Sequence, residues 1–262
     1  MSQHLTSESF NWAGRHEGKD VLRHEIWATL KANRLTHRDP VGHIPNFVGA
    51  EAAAARLANL EIWQQASVIK CNPDSPQKPV RWQALKDSKL LYMAVPRLAR
   101  KKCFVALHRD ALAARGIPLE KAANMRDALI QGTLVDFDAM QPIDLVIVGC
   151  VAVTAAGGRT GKGAGFADLE LALLREAGLV QSDTPIATTV HAVQVVEGSR
   201  LPTQSHDWPL DWIITPDAAI DTQTKLSRPP GLDWEAVQPE QLKTIPVLRS
   251  LAHQNRQLNL LD

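Results

Sequence analysis

Residues 145–178 read LVIVGCVAVTAAGGRTGKGAGFADLELALLREAG, and the order of residue types in that stretch decides the fold class. LVIV at 145–148 is an unbroken apolar run, the signature of a strand covered on both faces, which places it in a mainly parallel sheet with helices on either side. Five glycines follow, at 157, 158, 161, 163 and 165, and then a helical stretch that Gly178 ends. Strand, glycine loop and helix in that order build phosphate sites. Glycine lets main-chain N–H groups converge on an anion because no Cβ blocks the approach, and the helix N-terminus adds its own unspent donors.

Working outward, short apolar runs predict further strands at 67–71, 90–95, 104–107, 186–190 and 212–215, with the first strand of the quoted stretch spanning 145–149. Leu22, Ile26 and Leu30 recur every four residues and predict a helix over 19–32; the alanine-rich run 51–60 predicts a second, and 245–257 a third. Between the first two, Pro40 and Pro45 predict a loop over 37–46. The expected class is therefore α/β, a three-layer α/β/α arrangement around a mainly parallel sheet. Residues 1–18 read as a flexible lead-in, 19–226 as a single domain, and 227–262, beginning at SRPPG, as a C-terminal extension.

Composition narrows the function. The chain has 262 residues, 45% of them hydrophobic, enough for a sizeable core. Its 29 basic residues nearly balance its 28 acidic ones, so no whole-molecule field draws in polyanions, which argues against nucleic acid as a partner. Cys71, Cys103 and Cys150 are widely spaced in apolar surroundings and read as small buried residues rather than a disulfide framework or zinc site. No apolar run reaches the roughly 20 residues of a membrane span and residues 1–20 have no export pattern, so a cytoplasmic location is expected.

Within the loop, Arg159 and Lys162 add fixed positive charge. The pattern is not a Walker A loop, which would need Gly at Ala156 and Ser or Thr at Gly163, and Gly161, Gly163 and Gly165 do not make a dinucleotide fingerprint. Asp168, at the start of the helix, suits either a backbone cap or a magnesium ligand bridging phosphate oxygens. Lys19 and Arg23 lie four apart on one helix face.

GGRTGKGAGFADLE resembles the loop of the 5-formyltetrahydrofolate cyclo-ligases, G-x-R-L-G-x-G-x-G-Y-Y-D, with Gly158, Arg159, Gly161, Gly163, Gly165 and Asp168 in register. KDVLR at 19–23 is similar to that family's N-terminal K-x-x-L-R motif, and in the stretch beginning HAVQVVEG the residues Gln194, Pro202, His206 and Asp207 match. HIPNF at 43–47, NPDSPQKPVR at 72–81 and AVPRL at 94–98 resemble the methenyltetrahydrofolate synthetase domain-containing branch, in which Phe166 and Ala167 stand where the ligases carry two tyrosines.

The resemblance implies the cyclo-ligase (NagB/RpiA/CoA transferase-like) fold and an ATP- and Mg2+-dependent closure of 5-formyltetrahydrofolate to 5,10-methenyltetrahydrofolate through a phosphorylated formyl oxygen. It implies catalytic roles for Arg159 and Lys19 and an ATP site built from Lys19, Arg23, Gly158, Arg159, Thr160, Gly161, Lys162, Gly163, Ala164, Gly165 and Phe166. Asp168 and Asp207 would hold the magnesium, and Asp74 and Phe104 would meet a folate-like substrate. Two other readings stay open: the same nucleotide site serving a pterin- or thiamine-related substrate, or a non-catalytic binding or regulatory module whose tail, around Arg249 and Arg256, meets a partner.

Overall fold

The structure, a computed structural model, describes residues 16–258, with side chains described as far as residue 253. Residues 1–15, most of the expected lead-in, lie outside the described residues, as does the side chain of Arg256. The helices are α1 (Glu17–Ala32), α2 (Ala50–Ala58), α3 (Glu61–Gln65), α4 (Lys78–Lys86), α5 (Arg109–Ala113), α6 (Leu119–Ala122), α7 (Met125–Gln131), α8 (Phe166–Glu176), α9 (Pro239–Thr244) and α10 (Pro246–Leu258). The strands are β1 (Val68–Cys71), β2 (Leu90–Ala94), β3 (Phe104–Leu107), β4 (Thr133–Val135), β5 (Leu145–Val148), β6 (Ala152–Thr154), β7 (Arg159–Thr160), β8 (Ile186–Thr189), β9 (Val195–Val196), β10 (Trp212–Ile214) and β11 (Ala219–Asp221).

Among the described residues, eight strands form one sheet in the order β11-β10-β8-β5-β1-β2-β3-β4. Its middle, from β10 through β8, β5 and β1 to β2, is parallel, and β3, β4 and β11 run antiparallel at the two ends. Alternation along the strands feeds two separate cores. Ile69, Cys71, Leu145 and Ile147 point to one face, where α2 and α4 cover them. Val68, Val146 and Val148 point to the other, against Leu171, Leu173 and Leu174 of α8. That is the three-layer arrangement, and all six predicted strands and the three predicted helices are present in it.

The quoted stretch departs from expectation at one point. The strand at 145–148 does not lead directly into the glycine loop; after it the chain turns through a hairpin, β6 and β7, which with β9 forms a second, three-stranded sheet. Leu22, Ile26, Trp27 and Leu30 of α1 cover that sheet, packed against Val151, Ala152, Val196 and Leu201. The small sheet thus carries Arg159 and Thr160 on a strand and delivers the loop to α8 from the α1 side.

The C-terminal segment returns along α8, where Ile245 and Leu248 are fully buried in the core beneath that helix. All three cysteines are free and buried. Burial raises the Cys71 thiol to about 11 and the Cys103 thiol to about 12, so both are held as the unreactive thiol. Among the described residues no helix is long and apolar enough to cross a membrane.

Candidate functional site

The glycine segment divides into two halves with different work. Gly157 and Gly158 belong to the β6–β7 hairpin. Gly157 sits at φ +93°, and a Cβ there would come within 2.5 Å of the Leu210 carbonyl. The Gly158 N–H donates inward to Thr154 Oγ1 at 3.0 Å. These two positions are glycine for packing, and the sequence-based assignment of Gly158 to the cofactor cradle is corrected accordingly: its amide is already spent.

Gly161, Gly163 and Gly165 are different. A Cβ on Gly161 would meet nothing within 4 Å, and Gly163 and Gly165 take left-handed φ values of +107° and +64°. The N–H groups of Lys162, Gly163, Ala164 and Gly165 are engaged by no described residue. They open onto the first turn of α8, whose own N-terminal amides have no partner within the helix. These donors stand next to a helix N-terminus, an environment that suits an anion.

The loop lies beside the carboxyl ends of β1 and β5. From β1 the chain crosses to β2 on one side of the sheet, and from β5 to β8 on the other, so a crevice opens between them. Asp74 enters that crevice just beyond β1. Gly149, just beyond β5, makes room for it, since a Cβ there would lie 3.1 Å from Asp74 Oδ2. Asp74 Oδ1 takes the ammonium of Lys162 at 3.1 Å, so the acidic residue and the loop meet across 88 residues of sequence.

Helix α1 supplies the opposite wall. Arg23 Nε donates to the Gly161 carbonyl at 2.7 Å and Nη2 to Thr160 Oγ1 at 2.8 Å, while Nη1 pairs with Asp20 one turn back. One turn earlier Lys19 Nζ meets Asp207 Oδ2 at 2.5 Å, and the same oxygen accepts the Gln204 N–H at 2.7 Å. Arg159 Nη2 meets Asp168 Oδ1 at 2.5 Å and its Nε donates to the Trp208 carbonyl; the Trp208 N–H returns to Asp168 Oδ1 at 3.0 Å. The two ion pairs are therefore joined through the neighbours Asp207 and Trp208. Beside them is a cleft of about 390 Å3 lined by Gly158, Arg159, Gln204, Asp207, Trp208 and Arg228.

The structure so gathers Lys19, Arg23, Asp74, Arg159, Thr160, Lys162, Asp168, Asp207 and the residues 161–165 at one place. Phe166 begins α8 and turns its ring toward the core beneath it. Phe104 is not part of the group: it is fully buried in β3 with its ring edge-on to Phe137 at 5.6 Å, and it offers no face to a substrate. Gln194, matched in the sequence, is also internal, donating to the Cys150 and Val151 carbonyls.

One pair escaped the sequence reading. Lys70, on β1, is fully buried and forms an ion pair with Glu170 on α8, and its Nζ also donates to Asn72 Oδ1 at 2.5 Å. Burial pushes the Glu170 carboxyl up and Lys70 opposes that. The signal was available as a lone lysine inside an otherwise apolar strand, VIKC.

A match to the 5-formyltetrahydrofolate cyclo-ligase family covers residues 15–216. The chain belongs to that family. Among curated proteins, it is 39% identical over 241 residues to a methenyltetrahydrofolate synthase domain-containing protein of Bos taurus and 35% identical over 241 residues to that of Homo sapiens. Each alignment covers 91% of this chain, which spans 63% and 62% of those two relatives' length. Among solved structures, the NMR structure of the Aquifex aeolicus 5,10-methenyltetrahydrofolate synthetase overlaps 79% of this chain and 95% of its own, at 19% identity and a TM-score of 0.49. All the residues gathered at the glycine loop fall inside the part that defines the cyclo-ligase family. The segment that returns along α8 falls outside it.

Proposed function

We propose that the chain is an ATP- and Mg2+-dependent cyclo-ligase that closes 5-formyltetrahydrofolate to 5,10-methenyltetrahydrofolate. Membership of the cyclo-ligase family and the names of its synthase domain-containing relatives support this reading. The observation that carries it is the convergence of three cations and two carboxylates on a loop whose amides at 162–165 are unspent.

Those residues fit a magnesium–triphosphate. The loop amides and the N-terminus of α8 receive phosphate oxygens, and Lys19, Arg23 and Arg159 neutralise their charge. Asp168 and Asp207 are the carboxylates for the metal, which commonly takes one or two from the protein and the rest of its oxygens from phosphate and water. Among the described residues no group of three or more acidic, histidine or cysteine side chains is placed to hold a metal ion without such help. Bound nucleotide supplies a phosphoryl group that converts the formyl oxygen, a very poor leaving group, into phosphate, so the neighbouring ring amine can displace it. That amine sits on the same molecule and needs no association step.

Before ligand arrives Asp207 neutralises Lys19, and Asp168 neutralises Arg159. Asp168 and Asp207 would hold a divalent ion, and Lys19 and Arg159, released from them, would be left to the phosphates. Arg23, tied to the Gly161 carbonyl, holds the loop open toward them. Asp74, at the strand ends beyond Lys162, stands where a substrate amide or amine would enter.

The test mixes purified protein with 5-formyltetrahydrofolate, ATP and magnesium and follows the near-ultraviolet absorbance of the methenyl product. A rise proportional to enzyme is expected; a flat trace at high protein concentration sinks the substrate assignment. The burial of Phe104 favours a second reading, the same nucleotide site with another cofactor-related substrate, because that position offers no aromatic platform for a folate ring. ATP raising the melting temperature while folates leave it unchanged would select that reading. Saturation to 100 times the dissociation constant adds about 2.7 kcal/mol of stability.

A further inference from the structure

The segment beyond residue 216, outside the family match, is anchored along the whole of α8. At the far end of that helix the Leu232 N–H donates to Glu176 Oε1 at 2.8 Å, and Gly231 packs against the same carboxylate, 2.2 Å from where its Cβ would stand. Leu232, Val237, Leu242, Ile245 and Leu248 then follow α8 back toward its N-terminus in one continuous core. The last turn of this path brings α9 to the glycine loop.

Gln241 of α9 is the residue that arrives there. It is only 7% exposed, and its Nε2 lies 3.8 Å from the position a Cβ would take on Gly165. The orientation of its amide is set by a capping box: Oε1 accepts the Gln238 N–H at 2.9 Å. The Nε2 end therefore faces the loop, and it donates to no described residue. The residue is mostly enclosed but this nitrogen reaches solvent, so its two N–H groups are open to a ligand at the loop. Being a donor only, that end suits a ligand rich in acceptor oxygens.

We propose that Gln241 is a ligand-contacting residue of this site: its Nε2 donates to a phosphate oxygen of the nucleotide held at 161–165, so that a segment beyond the family match supplies part of the phosphate cradle. The proposal rests on the nucleotide reading above. It makes the C-terminal segment a component of the site rather than an appendage.

Calorimetric titration of the whole chain with ADP and magnesium tests it, using Q241E and Q241M beside the unaltered protein. Glutamate keeps the acceptor that closes the capping box and removes only the donor, while methionine removes the donor without adding charge. Both variants are expected to bind ADP about tenfold more weakly, the value of one hydrogen bond to a charged group, and Q241E to keep the unliganded melting temperature. Undiminished binding by Q241M overturns the proposal even if Q241E binds poorly, because nearby charge alone would then explain the loss. Failure of the unaltered protein to bind ADP or ATP overturns the nucleotide reading itself and the proposal with it.

Discussion

Two kinds of cation–carboxylate pair lie within a few residues of one another, and their chemistry is the same while their surroundings are not. Lys70 and Glu170 are sealed between β1 and α8, with side chains 0% and 5% exposed. Lys19–Asp207 and Arg159–Asp168 also bury their cations, at 6% and 1%, but leave the carboxylates 11% and 20% exposed. A sealed pair cannot change partners, so it serves as a rivet between strand and helix. A pair whose acid reaches solvent can hand that acid to a metal. Exposure of the carboxylate, which residue type does not reveal, is what distinguishes the two kinds of pair.

The largest effect that sharpens this contrast is expected at the rivet. Glu170→Gln strands a buried ammonium and is expected to cost about 3–5 kcal/mol of stability, whereas Lys70→Met with Glu170→Leu restores most of it. Denaturant titration measures both, and equal losses in the single and double variants would break the comparison. Next, Arg159→Ala is expected to lower kcat by about 100- to 1,000-fold in protein that remains folded. Steady-state rates at saturating ATP check this, and an unchanged kcat removes Arg159 from the reaction.

Asp207→Asn probes partner exchange directly. With Lys19 released from its acid, metal-free ADP is expected to bind roughly tenfold more tightly, while turnover with magnesium–ATP falls. A variant that binds metal-free ADP as the unaltered protein does would show that Lys19 is not held in reserve.

The smallest effects extend the contrast to the glycines. Gly157→Ala, at φ +93° with a carbonyl 2.5 Å from the new methyl, is expected to lose about 1–3 kcal/mol. Gly161→Ala meets open space and should stay within about 0.5 kcal/mol of the original stability, yet bind nucleotide more weakly because the methyl occupies phosphate space. Melting curves with and without ADP distinguish the two.

What could be read from the sequence follows from which signals are local. The central strands announce themselves because burial on both faces leaves only apolar residues, as in LVIV at 145–148. The strands at 133–135, 152–154, 159–160, 195–196 and 219–221 are two or three residues long, too short for any periodicity, and their pairing is set by contacts distant in sequence. The loop was legible as a loop, but its division into packing and open halves depends on Leu210 and Thr154, which no local pattern names. Asp74 was named by resemblance as a substrate contact, and its ion pair with Lys162 across 88 residues is not announced by any local pattern. Phe104 was misplaced because an aromatic in a buried strand looks the same in one dimension as an aromatic at the strand's mouth. Gln241 was invisible: nothing in PEQLKT announces a neighbour 76 residues earlier.

The joining of α1 to the far end of the chain has a consequence for synthesis. Lys19 meets Asp207 across 188 residues. Translation at about 5–20 residues per second leaves the newborn first helix waiting roughly 10–40 s for the partner of its lysine. During that interval Leu22, Ile26, Trp27 and Leu30, which the finished protein encloses, have no sheet to cover them. Helix α1 is thus an exposed apolar stripe until β6, β7 and β9 have been made.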